Sequence, residues 1–314
     1  MVGASIVLVG LAGIFWGLAG GIGGILMANG WDPSVVAFYR GAVGLVFVLL
    51  WLLFRPGNSG LSDYRVWFWS ALAGLGVAGN FTFYFLSISE SSVAVAATLM
   101  YCAPVFVYFV SFALGLERPT LFKLSAIALV MLGITLLTSI HNLNAVDITL
   151  IGVGAGLMSG LSYALFIFSF KYAAPKASPQ AILSIALSVL TIILIIPGDV
   201  GQGLLVFASA ELSLFVTLGL IGAGFPFVFY LIGLRHTAPA TASIVAMVEP
   251  VTASLFGVFV MDEALTGLQA LGMGLILVTV TALSIYSNTK HPGYIVWKPW
   301  RAFKGWVSNQ PVAG

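Results

Sequence analysis

Apolar residues run through this chain in blocks of about twenty, and short polar stretches separate the blocks. A helix crossing a bilayer needs about 20 apolar residues, within a range of about 17–25. Ten such spans are predicted: 3–28, 33–54, 66–88, 93–114, 120–140, 149–171, 180–197, 212–234, 239–261 and 266–287. The breaks between them hold turn formers and charges, as in "NGWDP", "RPGNSGLSDYR", "GLERPT" and "LRHTAP". The seventh and eighth spans have the softest boundaries, because "QGLLVFASAEL" has the composition of a partial span.

Composition agrees with that pattern. Of 314 residues 60% are hydrophobic and 7% charged, against about 25% charged in a soluble domain. Such a chain cannot clothe a water-facing surface, so the expected class is an all-α polytopic membrane protein whose first partner is the lipid bilayer. A net charge of +2 gives no electrostatic footprint for nucleic acid. Cys102, the single cysteine, excludes an intrachain disulfide. Residues 3–28 lack a basic leader and a small-residue cleavage site, so they are read as a retained first helix.

Lys and Arg favour the cytoplasmic side of short loops. With the N-terminus inside, Arg55, Arg65, Arg118, Lys123, Lys171, Lys176, Arg235, Lys290, Lys298, Arg301 and Lys304 all fall on that side. The opposite loops hold Asp32, Glu90, Asp147, Asp199, Glu211, Asp262 and Glu263 without one basic residue. Only Arg40 escapes the sorting. A miscounted span would scramble it, so it supports ten spans with both termini cytoplasmic.

The chain also matches itself when displaced by 146 residues, which carries Pro33 onto Pro179. Residues 80–120 then lie without gaps on residues 226–266. Phe81 meets Phe227, Tyr84 meets Tyr230, Pro104 meets Pro250, Glu117 meets Glu263 and Thr120 meets Thr266. Five spans per copy is an odd number, so the second copy enters the membrane from the other side. The expected organisation is a five-helix repeat over 1–140, an inverted five-helix repeat over 147–289, and a tail over 290–314. The tail is aromatic and basic, which suits the cytoplasmic headgroup layer. Inverted repeats are common in secondary transporters, with the substrate near the midplane between the copies.

Four stretches carry a resemblance to a known group: "IFWGLAGGI" (14–22), "AFYRGAVGL" (37–45), "APVFVYFVSFALGLERPT" (103–120) and "VEPVTASLFGVFVMDEALT" (248–266). Their order and spacing resemble the drug/metabolite transporter superfamily, EamA type, over about residues 1–289. Within it the chain looks most like the bacterial aromatic-amino-acid exporters. The resemblance implies ten helices in two inverted repeats around a central cavity, and a place in the bacterial inner membrane.

Candidate chemistry sits at mid-span. Arg40 and Glu249 are the two intramembrane charges, and each costs about 2.5–3.5 kcal/mol at the bilayer centre unless it faces protein or a wet cavity. Arg40 suits a substrate carboxylate, and Glu249 an amino group or a proton. Three plainer readings stand beside these: an ion pair between them, separate hydrogen bonds, or Arg40 snorkelling to the outer interface. Trp16, Tyr39, Tyr101, Tyr108 and Tyr163 lie well inside their spans, away from the interfacial belts. Asn80 and Tyr84 are four apart and share a helix face. Together these nine residues suit a zwitterion with an apolar, flat part. Pro104 and Pro250 each remove a helical hydrogen bond, freeing the carbonyls of Met100 and Ala246, and are candidate hinges. Glycines crowd the first and sixth spans, where they permit close helix packing.

No cofactor or metal is implied. His141, His236 and His291 lie in loops or the tail, and no HExxH, paired membrane aspartates or Ser–Lys set is present, which argues against an enzyme. A channel would show a ring of filter residues. The expected function is net efflux of amino acids, aromatic and other apolar ones included, by alternating access. Export of other small metabolites or drugs, and uncoupled facilitation, are the alternatives. A proton is the candidate coupling partner, and the oligomeric state is left open.

Overall fold

The computed structural model describes residues 2–56, 59–116, 119–140, 149–196 and 199–290, and among them every regular element is helical. Expectations for Glu117, Arg118, His141, Asp147 and the tail at 291–314 fall outside those residues. The elements in chain order are α1 (Val2–Ala28), α2 (Pro33–Phe54), α3 (Tyr64–Ser89), α4 (Val93–Met100), α5 (Ala103–Ala113), α6 (Leu121–Leu137), α7 (Leu150–Ala173), α8 (Pro179–Leu194), α9 (Val200–Leu205), α10 (Leu212–Gly219), α11 (Phe225–His236), α12 (Pro239–Val245), α13 (Val248–Val260) and α14 (Gly267–Lys290). A π-helical turn, Leu220–Gly224, joins α10 to α11.

Polar residues start the helices by satisfying their unpaired N–H groups. The Asp32 carboxylate accepts from the Ser34 N–H at 2.7 Å, with Pro33 in the first turn. The Ser92 and Thr149 hydroxyls accept from the N–H groups of Val95 at 3.2 Å and Gly152 at 2.9 Å. Ser178 does the same for α8, again ahead of a proline. A freed N–H has no water to turn to in hydrocarbon, so caps and closed helices are obligatory there.

Among the described residues, eight helical segments are long and apolar enough to cross a membrane. The fifth and seventh predicted spans form shorter apolar helices, Leu121–Leu137 and Pro179–Leu194. The 17 residues of α6 rise about 26 Å at about 1.5 Å per residue, just under a hydrocarbon core of about 30 Å. Large apolar side chains stay on the outside, with Phe54 at 79% and Phe259 at 79% exposure. In water such a surface would drive aggregation; in a bilayer it is the solvated surface.

Helix ends recur at the 146-residue displacement seen in the sequence. The displacement carries α2 onto α8, α3 onto the α10–α11 segment, and the break between α4 and α5 onto the break between α12 and α13. The packing recurs as well. α1 packs on α11 and α13, while α7 packs on α3 and α4; α2 meets α8, and α6 meets α14. Alternation of the helices leaves Phe54, Tyr64, Ala173, Pro179, His236 and Pro239 at one end of the bundle, called here the Lys171 end. A backbone bond from the Ser178 N–H to the Ser59 carbonyl at 3.3 Å shows that these loops meet. Asp32, Glu90 and Thr149 lie at the other end, where Thr149 donates to the Glu90 carbonyl at 2.9 Å.

Candidate functional site

Arg40 sits one third of the way along α2 and reaches inward. Its Nε donates to the Gly222 carbonyl at 3.0 Å, and its Cζ lies 4.9 Å from the centroid of the Phe81 ring on α3. Snorkelling to the outer interface is therefore not the arrangement found. The local cause is legible. Pro226 has no N–H for the carbonyl four residues back, which is that of Gly222. The helix answers with the π turn Leu220–Gly224, a feature often found at functional sites. Gly222 itself makes the space: a Cβ there would stand 2.7 Å from Arg40 Nε. A guanidinium over an aromatic face gains about 0.5–2 kcal/mol, which offsets part of its burial.

Glu249 occupies the first turn of α13, just after the break at Ala246 and Met247. An acid at that position meets the positive end of the helix, worth about 0.3–1 kcal/mol or more when partly buried. Its N–H donates to the Ala246 carbonyl at 3.0 Å. That carbonyl, expected from the sequence to lose its partner, is thus satisfied by a tightened turn. The Met100 carbonyl faces Gly160 instead, 3.1 Å from where a Cβ would be.

The Tyr101 hydroxyl, at the end of α4, lies near the Glu249 carboxylate. Arg40, Tyr84 and Tyr163 lie within electrostatic reach of that carboxylate. No direct ion pair forms: the Arg40 nitrogens and Glu249 oxygens stay more than 4.0 Å apart. Of the plainer readings left open by the sequence, a closed ion pair is not the arrangement found. Arg40 on α2, Tyr84 on α3 and Glu249 on α13 are each half-buried.

Beside the charges lies a cluster of rings. Trp16 on α1 meets Phe227 at 5.3 Å and Tyr230 at 5.2 Å between centroids, and Phe166 meets Tyr163 at 4.5 Å and Tyr230 at 6.1 Å. Tilted and edge contacts of this kind add about 0.5–1.5 kcal/mol each beyond area burial. The indole Nε1 of Trp16 and the hydroxyls of Tyr163 and Tyr230 are buried without a hydrogen-bond partner. Buried polar tips normally find one.

Three predicted site residues stand elsewhere. Tyr39 neighbours Arg40 in sequence but is turned about 100° round the helix. Its hydroxyl donates to the Gly203 carbonyl at 2.7 Å, and its ring packs on Phe207 and Phe215. Asn80 spends its amide on the α3–α7 contact, donating to Ser159 O at 3.1 Å and Ser159 Oγ at 3.0 Å while its own carbonyl accepts from Ser159 at 2.8 Å. It brackets two helices. Tyr108 packs edge-on against Phe109 within the core.

Phe81, Gly222 and Phe166 were not singled out for chemistry from the sequence. The proline four residues after Gly222 was the available signal for an open carbonyl. Phe81 and Phe166 left no signal, since their roles exist only across helices. Among the described residues no group of three or more His, Cys, Asp or Glu gathers to hold a metal. An apolar groove of about 440 Å³ lined by Phe47, Leu50, Trp51, Phe225 and Val228 lies on the outer side of α2 and α11, away from the charges.

Comparison with known proteins follows the same lines. The sequence profile of the EamA-like transporter family matches twice, over residues 3–139 and 150–285. An uncharacterized transporter of Archaeoglobus fulgidus is 30% identical over 282 residues, covering 88% of this chain and 92% of its own. The threonine/homoserine exporter RhtA of Salmonella typhimurium is 25% identical over 201 residues, covering 64% and 65%. A chain of known crystal structure superposes with a TM-score of 0.71 at 17% identity, covering 90% of this chain and 97% of that one. That likeness concerns the fold alone.

Proposed function

The chain belongs to the EamA-like transporter family, and on that premise we propose that it exports amino acids across a bacterial inner membrane by alternating access. It is a multi-pass membrane transporter and not an enzyme. The observation that carries the amino-acid reading is that Arg40 and Glu249 lie within electrostatic reach of one another without forming an ion pair. Two opposite charges stand near one another, unpaired, in a medium where an unpaired charge costs about 2.5–3.5 kcal/mol. A zwitterion lying between them leaves both charges satisfied. Its carboxylate takes the two terminal nitrogens of Arg40, a fork matched to carboxylate geometry. Its ammonium takes Glu249, with Tyr101 and Tyr84 alongside. The side chain then lies toward Trp16, Tyr163, Phe227 and Tyr230, which favours apolar and aromatic amino acids. Relatives named threonine/homoserine exporters support the amino-acid class and favour, as a second reading, a short hydroxylated side chain.

The transport cycle is read from the repeat. Two profile matches and helix ends that recur at one displacement support two five-helix copies, inverted because five is odd, around a central cavity. The breaks at Pro104 and Pro250 are the bending points. Basic residues on the loops of one side put both termini in the cytoplasm. Glu249 is the proton carrier if efflux is driven by a proton gradient.

The test is flux into proteoliposomes with phenylalanine, threonine, a quaternary ammonium ion and a nucleotide sugar. Amino-acid flux above that of empty vesicles is expected, with none for the other two. Flux of the quaternary ion alone would move the chain to the drug exporters. Repetition under a pH gradient, with Glu249→Gln alongside, reads the coupling: a gradient effect that survives Glu249→Gln removes the proton role from this residue.

A further inference from the structure

The two ends of the bundle are not in the same state. On α12, every residue from Pro239 to Val245 is buried. On α4, its counterpart at the other end, only Val95, Ala96, Thr98 and Met100 are. The Lys171 end is also tied by hydrogen bonds between helices. Lys171 Nζ donates to the carbonyls of Leu234 at 2.6 Å, Arg235 at 3.1 Å and Thr237 at 2.9 Å, where α11 finishes. Arg235 Nη2 donates to the Ala177 carbonyl at 2.7 Å. Gly60, at φ +72°, brings its loop so close to Lys176 and Ala177 that a Cβ would stand 2.6 Å from the Lys176 carbonyl. Carbonyls at a helix C-terminus are unpaired and carry partial negative charge, so an ammonium is their natural cap. Here the cap comes from a different helix and fastens α7 to α11.

Behind this fastening lie polar atoms that are sealed and unsatisfied. They include Tyr163 OH and Ser169 Oγ on α7, Tyr230 OH on α11, and Ser184 Oγ on α8. All of these lie between the mid-span charges and the Lys171 end. Hydroxyls without partners in a dry interior are unfavourable, whereas hydroxyls lining a wetted passage are not. At the 146-residue displacement Ile25 stands for Lys171 and Ser89 for Arg235, so the other end has no such cation.

We propose that Lys171 is a latch. By capping α11 from α7 it holds shut the route from the mid-span site to the Lys171 end, and Tyr163, Ser169 and Tyr230 line that route when it opens. The structure is then the state closed at this end. The latch rests on the alternating-access reading above but not on any substrate.

The test needs no substrate for the same reason. In a Cys102→Ala background, Ser169→Cys is exposed to a membrane-impermeant maleimide from the Lys171 side. Slow labelling is expected with Lys171 present. Lys171→Met, which keeps the length and removes the donors, is expected to speed labelling about tenfold by raising a minor open state, while Lys171→Arg stays slow. Where Lys171→Met does not give a monodisperse protein, Lys171→Gln carries the same comparison. Labelling of a monodisperse variant no faster than the parent overturns the latch. Faster labelling in a protein with no amino-acid flux would sink the substrate reading and leave the latch standing.

Discussion

α4 and α5 meet at Tyr101 and Cys102, and α12 and α13 meet at Ala246 and Met247, so the fourth and ninth spans break at matching places beside matching prolines. Each break lies against the glycine-rich helix that packs on it: Gly160 of α7 for the first, Gly17 of α1 for the second. Their chemistry differs. Glu249 stands at the second break where the first has Ala103, and Tyr101 at the first where the second has Met247. Yet Tyr101 and Glu249 lie near each other. In the proposed site the two breaks supply different halves. A duplicated scaffold can keep its geometry in both copies while the groups that touch a ligand diverge, because backbone breaks are set by proline and glycine and the ligand groups by neighbouring positions.

The largest expected effect separates the two breaks by charge. Removing one member of a buried charge set costs about 3–5 kcal/mol because the other is left alone. Arg40→Met and Glu249→Ala are each expected to lower amino-acid binding by more than about 100-fold, the equivalent of about 2.7 kcal/mol, as measured by calorimetry in detergent. Pro104→Ala and Pro250→Ala should slow flux while leaving binding intact; unchanged flux would remove the hinge role.

Next comes the closeness of the two contacts. A Cβ on Gly17 would stand 2.5 Å from the Glu249 carbonyl, and one on Gly160 would stand 3.0 Å from that of Leu99. Overpacking against backbone costs about 1–3 kcal/mol, so Gly17→Ala should lower the thermal midpoint clearly and Gly160→Ala less. Gly20, with nothing within 4 Å, is the internal standard: Gly20→Ala should change stability by under about 0.5 kcal/mol. Equal shifts at Gly17 and Gly20 would contradict the packing described.

Asn80→Ala falls between these. It removes both amide donors from Ser159, a loss of about 1–3 kcal/mol for buried groups, while leaving substrate selectivity unchanged. A change in selectivity with unchanged stability would return Asn80 to the site.

Much of this was legible before any coordinates. The apolar spans and the two prolines are local properties, written in runs of apolar residues and in Pro104 and Pro250, although the fifth and seventh spans form shorter helices than their apolar runs predict. The two intramembrane charges announced themselves by their cost. What the sequence could not carry was which way each side chain turns. Tyr39 and Arg40 are adjacent, yet one packs on Phe207 and the other reaches Phe81. Asn80 and Tyr84 share a face in projection, but Ser159 of α7 claims the first. The π turn at Leu220–Gly224 had one local cue, Pro226, and its meaning depended on an arginine 186 positions earlier in the chain (Arg40 against Pro226).

The central claim is that the interval between Arg40 and Glu249 holds both ends of a zwitterion. The direct measurement is calorimetric binding of phenylalanine, its deaminated acid and its decarboxylated amine to the wild type and to Glu249→Gln. The account predicts that the wild type binds the amino acid far more tightly than either analogue, and that Glu249→Gln no longer distinguishes the amino acid from the deaminated acid. Equal binding of all three by the wild type, or full discrimination retained in Glu249→Gln, would contradict it.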